Sequence, residues 1–156
     1  MTRNLLIALV LLSLGMLPAC SSQAISPEAI AGTYTVTMTD EALAAAGAPM
    51  VYRLEYRDKQ WILEFTPDGV HHWSQVTPVG VIERSYGDIS LTSTEILFKK
   101  DHGELSCTER GGGYDFTEEG RYRWRLEGDQ LTFEVISEEC QGRDYALVAL
   151  PWTRQP

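Results

Sequence analysis

The sequence is poor in the residue types that most often bind metals or act as nucleophiles. It contains three cysteines and three histidines among 156 residues. His71 and His72 are adjacent, so on a strand their side chains point to opposite faces and do not easily share a metal ion. His102 falls in a predicted turn. We therefore expect no metal site and no cofactor.

Catalytic motifs are equally scarce. The chain has no Gly-X-Ser-X-Gly nucleophile motif, and the run Gly111–Gly113 lacks the Lys-Ser/Thr ending of a phosphate-binding loop. The carboxylate pairs Glu118–Glu119 and Glu138–Glu139 lie next to each other in predicted loops, whereas acid–base catalysis needs carboxylates that face each other across a pocket. We interpret both pairs as solvated charges and expect no enzymatic activity.

Positive charge is in short supply. There are 13 Lys and Arg residues against 22 Asp and Glu, and the formal net charge is -9. Nucleic acids and anionic membrane surfaces both require a basic footprint, so the composition argues against them as partners. The hydrophobic content of 44% is sufficient for a folded core, and the length fits one domain.

The run Leu5–Leu14 is apolar but too short for a comfortable membrane span. It follows the basic Arg3 and leads to Leu17-Pro18-Ala19-Cys20, which resembles the lipobox of bacterial lipoproteins. This resemblance implies that residues 1–19 are a signal peptide and that Cys20 carries a diacylglycerol lipid with palmitate-type chains. The alternative is an ordinary signal peptide with an accidental cysteine.

A lipid on Cys20 implies a protein of the bacterial cell envelope that is anchored to a membrane. Residues 21–29 are small and polar, and we interpret residues 20–30 as the lipidated cysteine and a tether. Ser21 leaves the choice between inner and outer membrane open, and we favour the outer membrane.

If Cys20 is acylated, Cys107 and Cys140 remain as a pair in an oxidising compartment. We expect a disulfide between them. The alternative is two buried free thiols.

The clearest structural pattern lies between Arg121 and Ile136. Tyr122, Trp124 and Leu126 alternate with three arginines, and Gly128-Asp129 separates this run from a second alternating run. Such a pattern predicts an antiparallel hairpin with one buried and one wet face. The arginines form a stripe on the wet face, which either pairs with Glu134 and other neighbours or binds an anionic partner. The stripe consists of Arg121, Arg123 and Arg125.

Similar patterns recur along the chain and predict an all-β fold. We expect an antiparallel up-and-down β-barrel of about eight strands over residues 31–154, since consecutive strands look hairpin-connected and closure removes exposed edges. A single short helix is expected at Thr39–Gly47. The predicted strands are Gly32–Met38, Val51–Arg57, Gln60–Phe65, Val70–Val76, Val81–Tyr86, Glu95–Lys99, Leu105–Cys107, the two strands of the Arg121–Ile136 hairpin, and Tyr145–Leu150.

This arrangement resembles the lipocalin-like (calycin) barrels. The resemblance rests on Gly32-Thr33-Tyr34 at the start of the first strand, the helix-bearing loop after it, the meander of hairpins and the late cysteine pair. Lipocalins have Gly-X-Trp at this place, and an arginine from the end of the chain packs across the aromatic ring. Tyr34 replaces the Trp, and Arg143 or Arg154 supplies the arginine. The resemblance implies a small hydrophobic ligand in the barrel, beneath a lid formed by residues 39–49.

Two hypotheses follow for function. In the first, the protein binds or carries a small hydrophobic molecule in an open cup. In the second, aromatic side chains fill the barrel, and the protein is a non-catalytic module that binds or inhibits an envelope protein. The candidate ligand-binding residues of the first hypothesis are Tyr34, Tyr52, Tyr56, Trp61, Phe65, Arg84, Tyr122, Trp124 and Phe133.

Overall fold

A computed structural model describes residues 24–103, 119–138 and 140–156. The predicted signal peptide, Cys20, Cys107 and the Gly111–Gly113 run lie outside these residues. The structure therefore does not test the lipidation of Cys20 or the pairing of Cys107 with Cys140, and both stay predictions.

The described residues form an antiparallel barrel of eight strands with one additional short strand. The sheet order is β1-β5-β4-β3-β2-β9-β8-β7-β6, and pairing between β5 and β6 closes the barrel. The predicted fold class is thus confirmed. The strands are β1 (Ala24–Ile25), β2 (Gly32–Thr37), β3 (Gln60–Phe65), β4 (Val70–Thr77), β5 (Gly80–Thr92), β6 (Glu95–His102), β7 (Gly120–Glu127), β8 (Gln130–Ser137) and β9 (Trp152–Arg154).

The barrel has two different ends. At the first, which we call the turn end, tight turns join β3 to β4, β5 to β6 and β7 to β8. Gly69 and Gly128 lie in two of these turns with φ of +88° and +62°, a conformation that a side chain would strain. At the opposite end, which we call the helix end, short helices connect β2 to β3 and β8 to β9.

Large side chains fill the space between the strands. Most come from alternate positions of the strands, as the period-2 pattern predicts, and Ile30, Met38 and Leu43 come from the segments between strands. The largest fully buried side chains belong to Trp61, Trp152, Tyr34, Tyr122, Phe65, Phe98, Ile30, Met38, Leu43, Leu63, Ile96 and Leu131.

The predicted helix after the first strand is present as α1 (Asp40–Ala45). The Thr39 hydroxyl accepts a hydrogen bond from the Ala42 N–H at 3.2 Å and caps its first turn. Gly47, with φ of +83°, follows its end.

The predicted strand Val51–Arg57 is wrong, because this segment is the helix α2 (Met50–Tyr56). Tyr52, Leu54 and Tyr56 alternate as on a strand, but Tyr52 and Tyr56 are also four residues apart and share one face of a helix. Tyr56 is buried, whereas Leu54 is 55% exposed. Tyr52 and Tyr56 thus reach the interior from a helix rather than from a barrel strand.

The predicted strand Tyr145–Leu150 is also wrong. Gln141–Val148 is the helix α3, and the last strand is β9. Arg143, Ala146 and Leu147 are buried. Their spacing of three and four residues places them on one helix face, which explains why an apolar run is helical here.

Three boundaries also differ from the prediction. β6 continues past Lys99 to His102, which therefore lies on a strand and not in the predicted turn. The predicted strand Val81–Tyr86 does not stop at Gly87, because β5 continues to Thr92 and Gly87 lies at a shift of register between Tyr86 and Asp88. Residues 24–30 are not a free tether. Ala24 pairs with Thr92, and a 3₁₀ helix at Pro27–Ala29 leads to the fully buried Ile30.

Candidate functional site

Most of the predicted ligand-binding aromatics pack against one another inside the barrel. Phe98 lies among them, with ring centroids 6.1 Å from Phe65, 5.6 Å from Tyr122 and 6.3 Å from Phe133. Tyr34 contacts the edge of Phe65 at 6.0 Å. Aromatic pairs at these distances and angles stabilise a core. These side chains belong to the buried core.

The two tyrosines of α2 lie at the helix end. The Tyr56 ring is 5.2 Å from that of Trp61, and the Tyr52 ring is 5.8 Å from that of Tyr145 on α3. A Cβ atom on Gly142 would lie 3.2 Å from both tyrosines, so this glycine allows α3 to approach α2 closely. Tyr52 and Tyr56 therefore join the two helices that cover this end.

Arg84 and Trp124 lie apart from this cluster. Arg84 is half-buried on β5, where the register with β4 shifts between Trp73 and Ser74. Arg84 is the extra residue at this shift, because Trp73 pairs with Ser85 and Ser74 pairs with Glu83, so alternation with Ile82 and Tyr86 does not assign its face. The half-buried Trp124 donates its indole N–H to the Thr92 carbonyl at 3.1 Å.

A buried ion pair lies between the barrel and α3. Arg143 donates to the Glu138 carboxylate from Nε at 2.7 Å and from Nη2 at 3.0 Å. Only 4% of the Arg143 side chain and 1% of the Glu138 side chain are exposed. The Tyr122 hydroxyl at 2.5 Å and the Cys140 N–H at 2.8 Å also donate to this carboxylate. The interpretation of Glu138 as a solvated charge is therefore wrong.

The surrounding residues make room for this pair. The Arg143 guanidinium lies 5.7 Å from the centre of the Phe98 ring. A Cβ atom on Gly120 would collide with the carboxylate of Glu138 and the guanidinium of Arg143. Sequence reasoning missed the pair because its two charges come from a loop and from a helix that was predicted as a strand. The available signal was the spacing of Arg143 from Ala146 and Leu147.

Burial changes the acidity of neighbouring groups. It raises the pKa of Tyr122 well above the usual value, and the adjacent Glu138 charge acts in the same direction. Partial burial, together with Glu138, raises the pKa of Asp144 to about 6, although the Tyr145 N–H bonds to its carboxylate.

Of the two arginines proposed to cross the first-strand aromatic, Arg154 does so. Its guanidinium lies 5.5 Å from the centre of the Tyr34 ring and donates to the Ala31 carbonyl. Burial raises the pKa of Tyr34, and the Arg154 charge opposes this change. Arg143 contacts Phe98 instead.

The arginine stripe lies on the outer face of β7, as predicted. Arg123 pairs with Glu134 on β8 at 3.1 Å, and Arg125 pairs with Glu127 at 3.5 Å. The two arginine side chains are 61% and 76% exposed. Exposed pairs of this kind are worth at most about 1 kcal/mol and exchange easily.

Beside this stripe, a cleft of about 590 Å³ opens near the turn end. It lies between the β5–β6 turn and the β7–β8 hairpin. Its lining combines exposed arginines with half-buried apolar side chains, and consists of Ser93, Thr94, Arg123, Trp124, Arg125, Leu126, Thr132, Phe133 and Glu134.

The described residues lack two further features. They contain no helix that is long and apolar enough to cross a bilayer. Within the same ranges, no three His, Cys, Asp or Glu side chains are grouped as a metal site would require. His71 is buried and His72 lies on the outer face, where its Nδ1 is 2.7 Å from Glu83.

Comparison with known proteins adds no relative. No protein-family model, curated protein or solved structure matches this chain.

Proposed function

We propose that this protein is a lipid-anchored component of the bacterial cell envelope that binds a protein partner through its outer surface, without catalysis. In this proposal, the barrel is a packed scaffold rather than a carrier. The observation that supports it best is the set of interlocked aromatic rings around Phe98. These rings pack against one another inside the barrel. The cleft beside the arginine stripe, whose volume of about 590 Å³ lies within the roughly 300–1,000 Å³ usual for a small-molecule pocket, is lined in part by exposed outer-face residues.

The buried Glu138–Arg143 pair supports the same proposal. The Glu138 carboxylate accepts hydrogen bonds from the Tyr122 hydroxyl, the Cys140 N–H and Arg143. An apolar ligand at this position would have to displace charges that satisfy one another, which leaves an unpaired buried charge and is costly. The alternative, a carrier of a small hydrophobic molecule, requires the aromatic cluster to open.

The first described residues lie at the turn end, which supports a membrane anchor at this end. Ala24 pairs with Thr92 next to the β5–β6 turn. Cys20 precedes Ala24 by four residues, which span at most roughly 14 Å when extended. A lipid on Cys20 would hold the turn end close to the membrane and direct the helix end away from it.

Site-specific photo-crosslinking in living cells tests the interaction. A photoreactive amino acid is placed at outward positions around the barrel, such as Arg125 and Thr132, and at the buried Phe98. We expect one protein of defined mass to be crosslinked from a contiguous set of outward positions. Exclusive crosslinking of a small molecule from Phe98 would contradict the proposal.

The anchor has a separate test. Cys20→Ala should yield unprocessed or unanchored protein, whereas Cys107→Ala should leave the anchor intact. Membrane fractionation and mass spectrometry of the N-terminus distinguish these results. Mature, membrane-bound Cys20→Ala protein would refute the lipidation.

A further inference from the structure

The barrel wall is incomplete next to β7. In the described part of the chain, the register between β6 and β7 ends at the pair Glu95–Arg123. The Trp124 N–H then donates to the Thr94 carbonyl at 3.2 Å, where the β5–β6 turn begins. β7 continues to Glu127 with β8 as its paired neighbour over these residues. A short length of β7 therefore forms an open sheet edge.

The hairpin turn determines which backbone groups face this edge. Gly128 and Asp129 form a two-residue turn, and Glu127 pairs with Gln130 directly beside it. In such a hairpin, the residues flanking the turn exchange hydrogen bonds with each other, and the next residue on each strand directs its N–H and C=O outward. On β7 that residue is Leu126, so its N–H and C=O point into the cleft.

The side chains around the edge suit an extended peptide. Trp124 and Leu126 are half-buried and provide an apolar floor. Arg123 and Arg125 project on the outer side with highly exposed guanidinium groups. Their present partners, Glu134 and Glu127, are 70% and 74% exposed, so another carboxylate can replace them at little cost.

We propose that the edge of β7 at Trp124–Leu126 is a docking site for an extended, acidic segment of a protein partner, which adds to the barrel as a short strand. Main-chain hydrogen bonds to Leu126 would provide affinity, and carboxylates that meet Arg123 and Arg125 would select for acidic sequences. This inference rests on the proposed function and specifies where and how the partner binds.

The first test is selection of a displayed library of random 12-residue peptides against the full-length protein. We expect enrichment of acidic peptides that are rich in β-forming residues. In amide NMR spectra, the selected peptide should shift the Leu126 signal and slow its hydrogen exchange, which is rapid in the free protein. N-methylation of those peptide amides that face β7 should abolish binding, whereas methylation of the alternate amides should not.

Charge reversal provides a matched pair of variants. Arg125→Glu should weaken binding of the selected acidic peptide at least tenfold. Arg121 lies on the same stripe, but β7 is paired with β6 there through Leu97. The affinity of the Arg121→Glu variant for the peptide should therefore change less than threefold. Circular dichroism checks that both variants fold.

Three results would overturn the proposal: a slowly exchanging Leu126 amide in the free protein, no enrichment of acidic peptides, or equal losses for the two variants. A crosslinked partner on another face would leave the proposed function intact and refute this site alone. Crosslinking of an interior small molecule alone would instead refute the proposed function.

Discussion

At the scale of single residues, Glu138 and Arg143 illustrate how a buried charge is tolerated. Desolvation makes each charge unfavourable alone, and their mutual hydrogen bonds offset that cost. The Tyr122 hydroxyl and the Cys140 N–H saturate the remaining carboxylate acceptors. The arrangement fixes α3 against the barrel. Substitution of either residue should therefore lower the stability of the whole fold.

Removing one member of the pair should be costly. We expect Glu138→Gln and Arg143→Met each to lower the free energy of unfolding by about 3 kcal/mol, because each leaves an uncompensated buried charge or its polar remnant. The double variant should lose less than the sum. Urea unfolding measures all three, with the exposed pair Arg123→Ala and Glu134→Ala as a control that should lose at most about 1 kcal/mol. Additive losses would contradict this account.

Asp144 should make stability depend on pH. Its pKa is raised to about 6 in the folded protein from an ordinary 3.8, so the folded state binds the proton more tightly than the unfolded state. This stabilisation is fully present below pH 3.8 and is lost as the pH rises through 6. Asp144→Asn should therefore be more stable than the wild type at pH 7.5, by about 1 kcal/mol after screening of the half-buried group.

The difference between the two proteins isolates this carboxyl from the others. It should shrink as the pH falls from 7 to 4, as measured by urea unfolding at each pH. A difference that stays constant over this range would refute the raised pKa.

At the scale of elements, the sequence predicts the strands better than the helices. The hairpin around Gly128-Asp129 was predictable because strict alternation and turn chemistry agree at one place. The strand assignment failed at α2 and α3, where aromatic and aliphatic residues fit both a period of two and a period near four. Tyr52 and Tyr56 form a helix face because α3 and Trp61 pack on them. The contact with α3 joins segments that are distant in sequence, so the local pattern does not reveal it.

The helical assignment of α2 leads to unequal effects of truncation. Tyr56→Ala should lower the free energy of unfolding by about 3 kcal/mol, because it removes a buried ring. Leu54→Ala should change it by less than about 0.5 kcal/mol, because this side chain faces water. On a strand with Tyr52, Leu54 and Tyr56 on one buried face, both substitutions would be costly. Thermal unfolding of the two variants distinguishes the assignments.

Some features of the candidate site could also be predicted from the sequence, and others could not. The buried strand aromatics and the outward arginine stripe follow from alternation alone. The Glu138–Arg143 pair and the cleft do not, because each depends on how separate segments meet in space. The local sequence around Glu95 does not indicate that β6 starts opposite Arg123 and therefore leaves Leu126 without a partner on β6.

At the scale of the whole molecule, the two hypotheses for function differ in what the barrel interior holds. Phe98 contacts rings from four other strands and also lies beneath the Arg143 guanidinium. In the proposed function, recognition therefore takes place on the outer surface. The packed interior is therefore the central claim of this account.

Binding of a small apolar probe tests that claim most directly. NMR spectra of the protein are recorded during titration with indole, with Phe98→Ala as the variant that opens a cavity and Phe98→Leu as a milder version. The account predicts no saturable shifts in the wild type and one-to-one binding in Phe98→Ala, whose unfolding free energy should fall by about 3–5 kcal/mol. Saturable one-to-one binding of indole inside the wild-type barrel would contradict it and restore the carrier hypothesis.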